Sequence, residues 1–464
     1  MSGTFRTISP VDGSVVAERS FASLSEIERA LSLSARAFQD WKRKPLEQRQ
    51  ALLQRFVELA VRDQDAIASE LTMQIGRPIR DGAGEVRGWL ERGHKMIELS
   101  REALADVEPS ARPGSTRFIR HEPLGLVLTL APWNYPWLTT VNSIVPALLA
   151  GNTVLLKHSE QTPLVAERML AAAAEAGLPD AVFQVLHLTH EQVAEVVADD
   201  RVAFVAFTGS VEGGHAIQGA LAGRFAGASL ELGGKDAAYV CSDADIGLSA
   251  ASLCEGAFYN AGQSCCGIER IYVQRERFDP FVDAFVAATE QLVLGDPRES
   301  QTSLGPVVRT RNAELIMAHI DEAVAAGARP LIDPKQFPEA RRGAPYLQPQ
   351  ALLDVNHGMR VMSEETFGPV VGIMPVSGDE EAVRLMNDSR YGLTASIWTS
   401  DLDRATALGD SVEVGTWFMN RCDYLDPELA WVGIKDSGRG CSLSSLGFAQ
   451  LTRPKSFHLR HALR

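Results

Sequence analysis

LGLVLTLAPWNYPWLTTVNSIVPALLAGNTVLLK, residues 124–157, sets two short apolar runs on either side of a longer one. "GLVLTL" (125–130) leads through "APWNYPW" into an apolar helix that runs to Ala150, and "NTVLLK" (152–157) follows it. The next helix has its start marked by Thr162-Pro163 and its stop by Gly177, since proline suits the first helical turn and glycine the left-handed cap. The alternation continues with "AVFQVL" (181–186), a helix near 190–198, "VAFVAF" (202–207) and a helix from about 211. Short, almost wholly apolar strands between helices predict a parallel sheet covered on both faces.

After "SLELGG" (229–234) the alternation restarts with "AAYV", a helix near 246–260, "IERIYV" (268–273) and a helix near 278–292. That restart marks the expected boundary between two α/β domains. A chain of 464 residues exceeds what one core fills, so two or three domains are expected. Upstream, Ser23 and Glu26 have capping-box spacing, and Ile27, Ala30, Leu31, Ser34, Ala37, Phe38 and Trp41 share one face of a helix over 23–41. Two further helices are expected over 46–74 and 84–104, and extended structure that turns once over 116–130.

Hydrophobic residues are 45% and charged residues 22%, as in ordinary globular proteins. A net charge of −14 without a long basic run argues against nucleic acid or an anionic membrane as the main partner. The N-terminus lacks a signal-peptide layout, and no apolar run approaches the ~20 residues that span a bilayer. Six cysteines without a C-x-x-C pair form no disulfide framework, and the H-x-x-H at His187 and His190 has no ligand set around it. A metal site is not expected, and a cytoplasmic location is.

Open parallel sheets bind ligands beyond the carboxyl ends of their strands. Lys157 and Glu160 follow one strand, and Thr208-Gly209-Ser210 link another to a helix N-terminus, where free N–H groups suit a phosphate. They serve a dinucleotide or are simply a surface ion pair and a turn. Among the thiols, Cys241 and Cys254 read as structural, whereas Cys265 and Cys266 follow a polar Gly262-Gln263-Ser264 turn that suits exposure. Acyl-transfer chemistry also needs a base and an oxyanion donor. Glu231 can be that base or an exposed strand carboxylate, and Asn134 that donor or an Asx-type turn residue.

Six blocks together, "APWNYP" (131–136), "LLKHSEQTP" (155–163), "FTGS" (207–210), "LELGGK" (230–235), "FYNAGQSC" (258–265) and "EETFGPV" (364–370), resemble the aldehyde dehydrogenase superfamily in order and spacing. The resemblance runs from about residue 5 to the C-terminus. It implies an α/β fold with a Rossmann-type parallel-sheet cofactor domain (1–104 and 124–233) and a second α/β catalytic domain (234–434). A small β oligomerisation element with the C-terminal tail (105–123 and 435–464) completes a homodimer or homotetramer. It assigns Cys265 as nucleophile, Asn134 and the Cys265 N–H as oxyanion donors, and Glu231 as the base that hydrolyses a thioester. Lys157 and Glu160 match residues holding the adenosine ribose, Gly209 and Ser210 the pyrophosphate turn, and Glu365 and Phe367 the nicotinamide end. Trp133 matches the cleft wall. A carboxylate at Glu160 favours NAD, with NADP possible.

The resemblance also implies a substrate tunnel from Tyr135, Leu138, Thr139, Asn142, Tyr259 and Ser264. "AWVGIKDSG" (430–438) departs from the family's Pro-Phe-Gly-Gly opening, and Asn142 stands where many members carry a bulky apolar residue. Asp423, Tyr424, Asp426 and Glu428 form an acidic cluster, and no arginine is clearly placed to meet a carboxylate-bearing aldehyde, Arg421 being the only candidate. The expected activity is NAD-linked oxidation of an aldehyde to its acid through a cysteine thiohemiacetal and thioester. The alternatives are a CoA-acylating aldehyde dehydrogenase and a cysteine-dependent ester hydrolase. Cys266 is expected to pack under the loop, or else to cap Cys265 as a vicinal disulfide.

Overall fold

The computed structural model describes residues 3–422 and 424–461. Two sheets, each parallel except at an antiparallel edge strand, carry the chain. The first has six strands in the order Gly438–Arg439, Gly227–Glu231, Val202–Thr208, Leu126–Ala131, Thr153–His158 and Phe183–Val185. All neighbours are parallel except the outermost, where Gly438 and Arg439 run antiparallel to Glu231 and Leu230. Its uniformly apolar strands are explained by burial on both faces. Val127, Ala131, Val154 and Leu156 point into the core under helices Leu46–Ala60, Ile79–Ala103, Leu138–Ala150 and Pro163–Ala176. Their neighbours Leu126, Leu128, Leu130 and Leu155 point the other way, under helices Leu24–Trp41, His190–Ala198 and Val211–Leu221.

The second sheet has seven strands in the order Arg329–Pro330, Gln350–Leu353, Val370–Val376, Ile268–Gln274, Asp236–Val240, Thr394–Trp398 and Thr416–Met419. Sheet membership therefore changes between Glu231 and Asp236, where the alternation restarts in the sequence. A separate two-stranded ribbon pairs Ser115–Pro123 with Thr452–Arg460 over nine residue pairs, with Phe118 stacked on Phe457 at 4.4 Å. Part of the expected tail element lies elsewhere: Gly438–Arg439 belongs to the six-stranded sheet.

Local boundaries follow the expected pattern with three differences. The helix over 24–41 carries its Ser23/Glu26 capping box. The expected 46–74 helix is two, Leu46–Ala60 and Gln64–Ile75. A single straight helix would be on the order of 40 Å long. The break at Val61–Asp63 lets Phe56, Val57, Ile67 and Leu71 all reach one core. The expected 84–104 helix starts at Ile79, directly after Pro78. Gly82 does not end it, because that glycine is a contact point: a Cβ there would lie 2.7 Å from the Ala68 Cβ. The helix expected over 278–292 is Phe278–Thr289. No helix among the described residues is long and apolar enough to cross a membrane.

Candidate functional site

The thiol loop begins where helix Ile246–Phe258 ends. Asn260, Ala261 and Gly262 all take left-handed backbone angles (φ 52°, 55° and 69°), which reverses the chain. For Ala261 this costs about 1 kcal/mol or more, so the surroundings must hold it. They do so through the Asn260 side chain, which donates to the Asn134 and Gln263 carbonyls, and through Gln263, whose carboxamide donates to the Asn260 carbonyl and accepts from the Val308 N–H at 2.8 Å. Gly262 is required sterically as well: a Cβ would sit 2.2 Å from the Gly368 carbonyl oxygen. Cys265 emerges from this turn half-buried, whereas Cys266 is 3% exposed, its sulfur 3.5 Å from the Ser264 hydroxyl. None of the six cysteines is in a disulfide.

Cys265 and Glu231 line one cavity of about 620 Å³. Tyr135, Leu138, Thr139, Asn142, Tyr259 and Ser264 line it too. Glu231 lies at the end of its strand, and its carboxylate accepts hydrogen bonds from the Ser442 hydroxyl and, at 3.5 Å, from the Thr208 hydroxyl. Burial pushes Glu231 above the usual carboxylate range, opposed by hydrogen bonds from Ser442, Asn142 and Thr208 and by the charge of Arg92. A carboxylate made more basic in this way is the better acceptor of a proton. Trp431, from the departing segment, lines the same cavity and is bridged through its backbone to Ser442.

Arg421, the only candidate the sequence offers for a carboxylate-bearing aldehyde, is not alone at this cavity. Arg77, Arg87, Arg92 and Arg421 all line it. Arg77 forms a buried ion pair with Glu85, donates to the Asn134 carbonyl at 2.6 Å and lies over the Tyr135 ring. Glu85 in turn accepts from the Trp137 and Leu138 N–H groups. This clamp fixes the "PWNYPW" turn and with it Asn134, whose amide donates to the Gln263 carbonyl at 3.2 Å, beside the thiol loop. Asn134 itself is buried and is not among the residues that line the cavity. Arg421 lies on the Tyr424 ring, 3.8 Å from its centroid. In the acidic cluster, Glu428 is paired with Lys95 at 2.6 Å, while Asp423 lies outside the described residues.

A second, larger cavity of about 1330 Å³ is lined by Trp133, Lys157, Glu160, Gly209 and Ser210. The two cavities share Thr208 in their walls. Ser210 caps helix Val211–Leu221, accepting from the Gly213 N–H at 3.1 Å, so the helix N-terminus opens there. Gly209 has no room for a side chain: a Cβ would lie 2.6 Å from the Phe207 ring. Burial pulls the Lys157 ammonium below its usual range, opposed by Glu160. Phe367 and Glu365 are set back from this wall. Phe367 packs edge-on against Trp133 with ring centroids 5.6 Å apart. Glu365 accepts from the Gly234 N–H at 3.0 Å, and burial together with Glu269 pushes it up to about 8.

Sequence reasoning missed Arg77, Glu85, Arg92 and Ser442. All act on residues far along the chain, and no short motif contains them. The model of the aldehyde dehydrogenase family matches residues 1–457. A succinate-semialdehyde dehydrogenase [NADP(+)] of Deinococcus radiodurans is 33% identical over 459 residues, 97% of this chain and 94% of the relative. A 3,6-anhydro-alpha-L-galactose dehydrogenase of Streptomyces coelicolor is 32% identical over 467 residues, 99% of this chain and 94% of the relative. The crystal structure of an NAD-dependent aldehyde dehydrogenase from Sinorhizobium meliloti superposes with a TM-score of 0.95 at 29% identity, covering 100% of this chain and 92% of that one. Two linked cavities, a thiol loop and a whole-chain match lead to one conclusion: the protein belongs to the aldehyde dehydrogenase family.

Proposed function

We propose that this chain oxidises an aldehyde to its carboxylic acid with NAD(P), using Cys265 as nucleophile and Glu231 as hydrolytic base. One observation carries the reading. Cys265 and Glu231 line the same cavity, and that cavity shares Thr208 with the one lined by Lys157, Glu160, Gly209 and Ser210. The second cavity suits a dinucleotide: it offers a capped helix N-terminus, a close-approach glycine at Gly209 and a strand-end carboxylate at Glu160. When bound, NAD(P) supplies the two-electron oxidant.

The chain's own residues supply the rest. The Cys265 sulfur attacks the carbonyl carbon, forming a C–S bond and an alkoxide. The Asn134 amide and the Cys265 N–H are the proposed donors to that alkoxide, an arrangement in which one donor is worth about 10²–10³ in rate. After oxidation the carbon is held as a thioester. Glu231 takes a proton from water, whose oxygen attacks the thioester. The C–S bond then breaks, returning the thiolate and releasing the acid. The retained base distinguishes this from transfer to CoA.

Glu160 supports a preference for NAD, since a carboxylate accepts from a ribose 2′-hydroxyl and repels a 2′-phosphate. The Ser115–Pro123/Thr452–Arg460 ribbon, whose second strand is largely exposed, supports self-association, which light scattering on the purified enzyme reads. The central test incubates purified protein with an aldehyde panel and NAD or NADP, without CoA, and follows absorbance of the reduced nicotinamide. Turnover is expected, faster with NAD, and Cys265→Ala is expected to abolish it. Turnover by Cys265→Ala, or a strict need for CoA, overturns the assignment.

A further inference from the structure

Arg92 is the unusual group of the substrate cavity. It sits on the buried face of helix Ile79–Ala103, 8% exposed, yet no carboxylate lies within ion-pair distance of it among the described residues. Its Nη1 donates to the Leu138 carbonyl at 3.2 Å and to the Asn142 side-chain oxygen at 3.4 Å. Both acceptors are neutral. Nε and Nη2 have no acceptor among the described residues, and neither is sealed from solvent, so that edge of the guanidinium meets the cavity that Arg92 lines. A buried guanidinium without a counter-charge is costly unless an anion comes to compensate it.

The other charges of the cavity do not fill that need. Arg77, also buried, is already paired with Glu85. Arg87, Glu91, Glu255 and Arg421 line the cavity from exposed positions, two of each sign, where water and salt screen them. Glu231 accepts from the Ser442 and Thr208 hydroxyls and lies outside ion-pair distance of Arg92. The deep wall therefore offers one cation with an open edge, in the cavity that Cys265 also lines.

We infer that Arg92 anchors a carboxylate carried at the far end of the substrate, which makes the preferred aldehydes ω-oxo acids. The inference deepens the proposed function and rests on Cys265 as the nucleophile that holds the aldehyde carbon. The Nε and Nη2 edge presents two parallel N–H bonds, the geometry that a carboxylate accepts bidentately. A phosphate ester would bring up to two negative charges to this one cation. Asn142 fits the role, because its side-chain oxygen accepts from Nη1 and leaves the opposite edge to the ligand. An apolar residue there would supply no acceptor to aim the guanidinium. Oxidation at Cys265 then makes the product a dicarboxylate.

The test measures kcat and KM for 4-oxobutanoate, 5-oxopentanoate and 6-oxohexanoate, each against the aldehyde of equal length without the carboxylate. Wild type, Arg92→Met and Arg92→Lys are compared. Wild type is expected to prefer the acid of best-fitting length over its uncharged twin. In Arg92→Met the ratio of the two kcat/KM values falls by about 10- to 100-fold, the range for hydrogen bonds to charged groups, and the fall lies in KM. Arg92→Lys keeps the charge without the fork and recovers part of the ratio. A second readout needs no turnover. Glutarate, an inert dicarboxylate, is expected to slow alkylation of Cys265 by iodoacetamide in wild type and not in Arg92→Met.

A wild-type preference for the uncharged aldehydes overturns the inference. So does an equal loss on acid and uncharged twin in Arg92→Met, which would make Arg92 only a wall residue. Glutarate protection that persists in Arg92→Met overturns it as well, as does an Arg92-dependent preference for glyceraldehyde 3-phosphate over the ω-oxo acids. Absence of turnover with every aldehyde, while glutarate protection still depends on Arg92, is a separate failure, that of the dehydrogenase reading, and leaves the anchor supported.

Discussion

Gly233 and Gly234 are adjacent, yet a methyl group on each is expected to damage a different function. At Gly234 an added Cβ would lie 2.3 Å from the Cys265 carbonyl oxygen and 2.9 Å from an Asp236 carboxylate oxygen. An ordinary carbon–oxygen contact needs roughly 1 Å more than the first of these. The obstructing atom is backbone, so it cannot rotate away, and Asp236 is itself tied to the Thr394 N–H and hydroxyl. The thiol loop must therefore move. A displacement of about 1 Å at a reacting centre costs on the order of 10²-fold in rate. Gly234→Ala is expected to lose about that factor in kcat, with slower alkylation of Cys265 by iodoacetamide and little change in cofactor affinity. At Gly233 the Cβ would instead meet the Glu365 carboxylate at 2.4 Å, the far end of a flexible side chain. Gly233→Ala is expected to raise KM for the cofactor while Cys265 alkylates at the wild-type rate. Stopped-flow kinetics, thiol alkylation and cofactor titration on folded protein separate the two. A Gly234→Ala enzyme with kcat within threefold of wild type and an unchanged alkylation rate would refute the close-approach argument.

The Arg77–Glu85 pair gives a stability prediction. Arg77→Met leaves Glu85 buried with only the Trp137 and Leu138 N–H groups, and removes a donor from the Asn134 carbonyl. Breaking a buried pair from one side typically costs about 3–5 kcal/mol, readable as a lower denaturation midpoint; a loss below 1 kcal/mol contradicts the clamp. His158 gives a pH prediction. Its Nε2–H donates to the Pro136 carbonyl, its Nδ1 accepts from the Thr162 hydroxyl, and burial pulls it down from 6.5 to about 4. With the folded value depressed, its contribution is fully present above pH 6.5 and is lost as pH falls toward 4. The loss is about 2 kcal/mol at pH 5 and at most about 3 kcal/mol. Comparing chemical denaturation of wild type and His158→Gln at pH 7.5 and 5 checks it: parallel losses in the two proteins would show that His158 carries none of the slope.

The sheets were legible because their signal is local. Six apolar residues between helix punctuators have few alternatives to a buried parallel strand, and Leu126–Ala131 and Thr153–His158 lie where "GLVLTL" and "NTVLLK" put them within a residue or two. Cap chemistry was equally local, as with Ser23/Glu26 and Gly177. Other features depend on contacts between distant segments, which leave no spacing to count. The break at Val61–Asp63 is set by the core that both halves share. The place of Gly438–Arg439 is set by pairing with Glu231 and Leu230, about two hundred residues earlier.

One missed feature did leave a trace. The buried face of helix Ile79–Ala103 runs Gly82, Glu85, Val86, Trp89, Arg92, Gly93, Met96, Ile97 and Ser100, a regular three-and-four stripe. Two of its members are charged, and they are seven residues apart, so they lie on one face two turns apart. A solvated face explains neither, because the residues between them are Val86 and Trp89. A charge inside an apolar stripe requires a partner elsewhere in the fold. Here the two charges serve the beginning of one helix, Leu138–Ala150, which follows strand Leu126–Ala131. Glu85 receives the backbone N–H groups of Trp137 and Leu138 where that helix begins, and Arg92 reaches Asn142 one turn further in. The same stripe that buries this helix therefore holds the turn that carries Asn134 and reaches the cavity wall at Asn142.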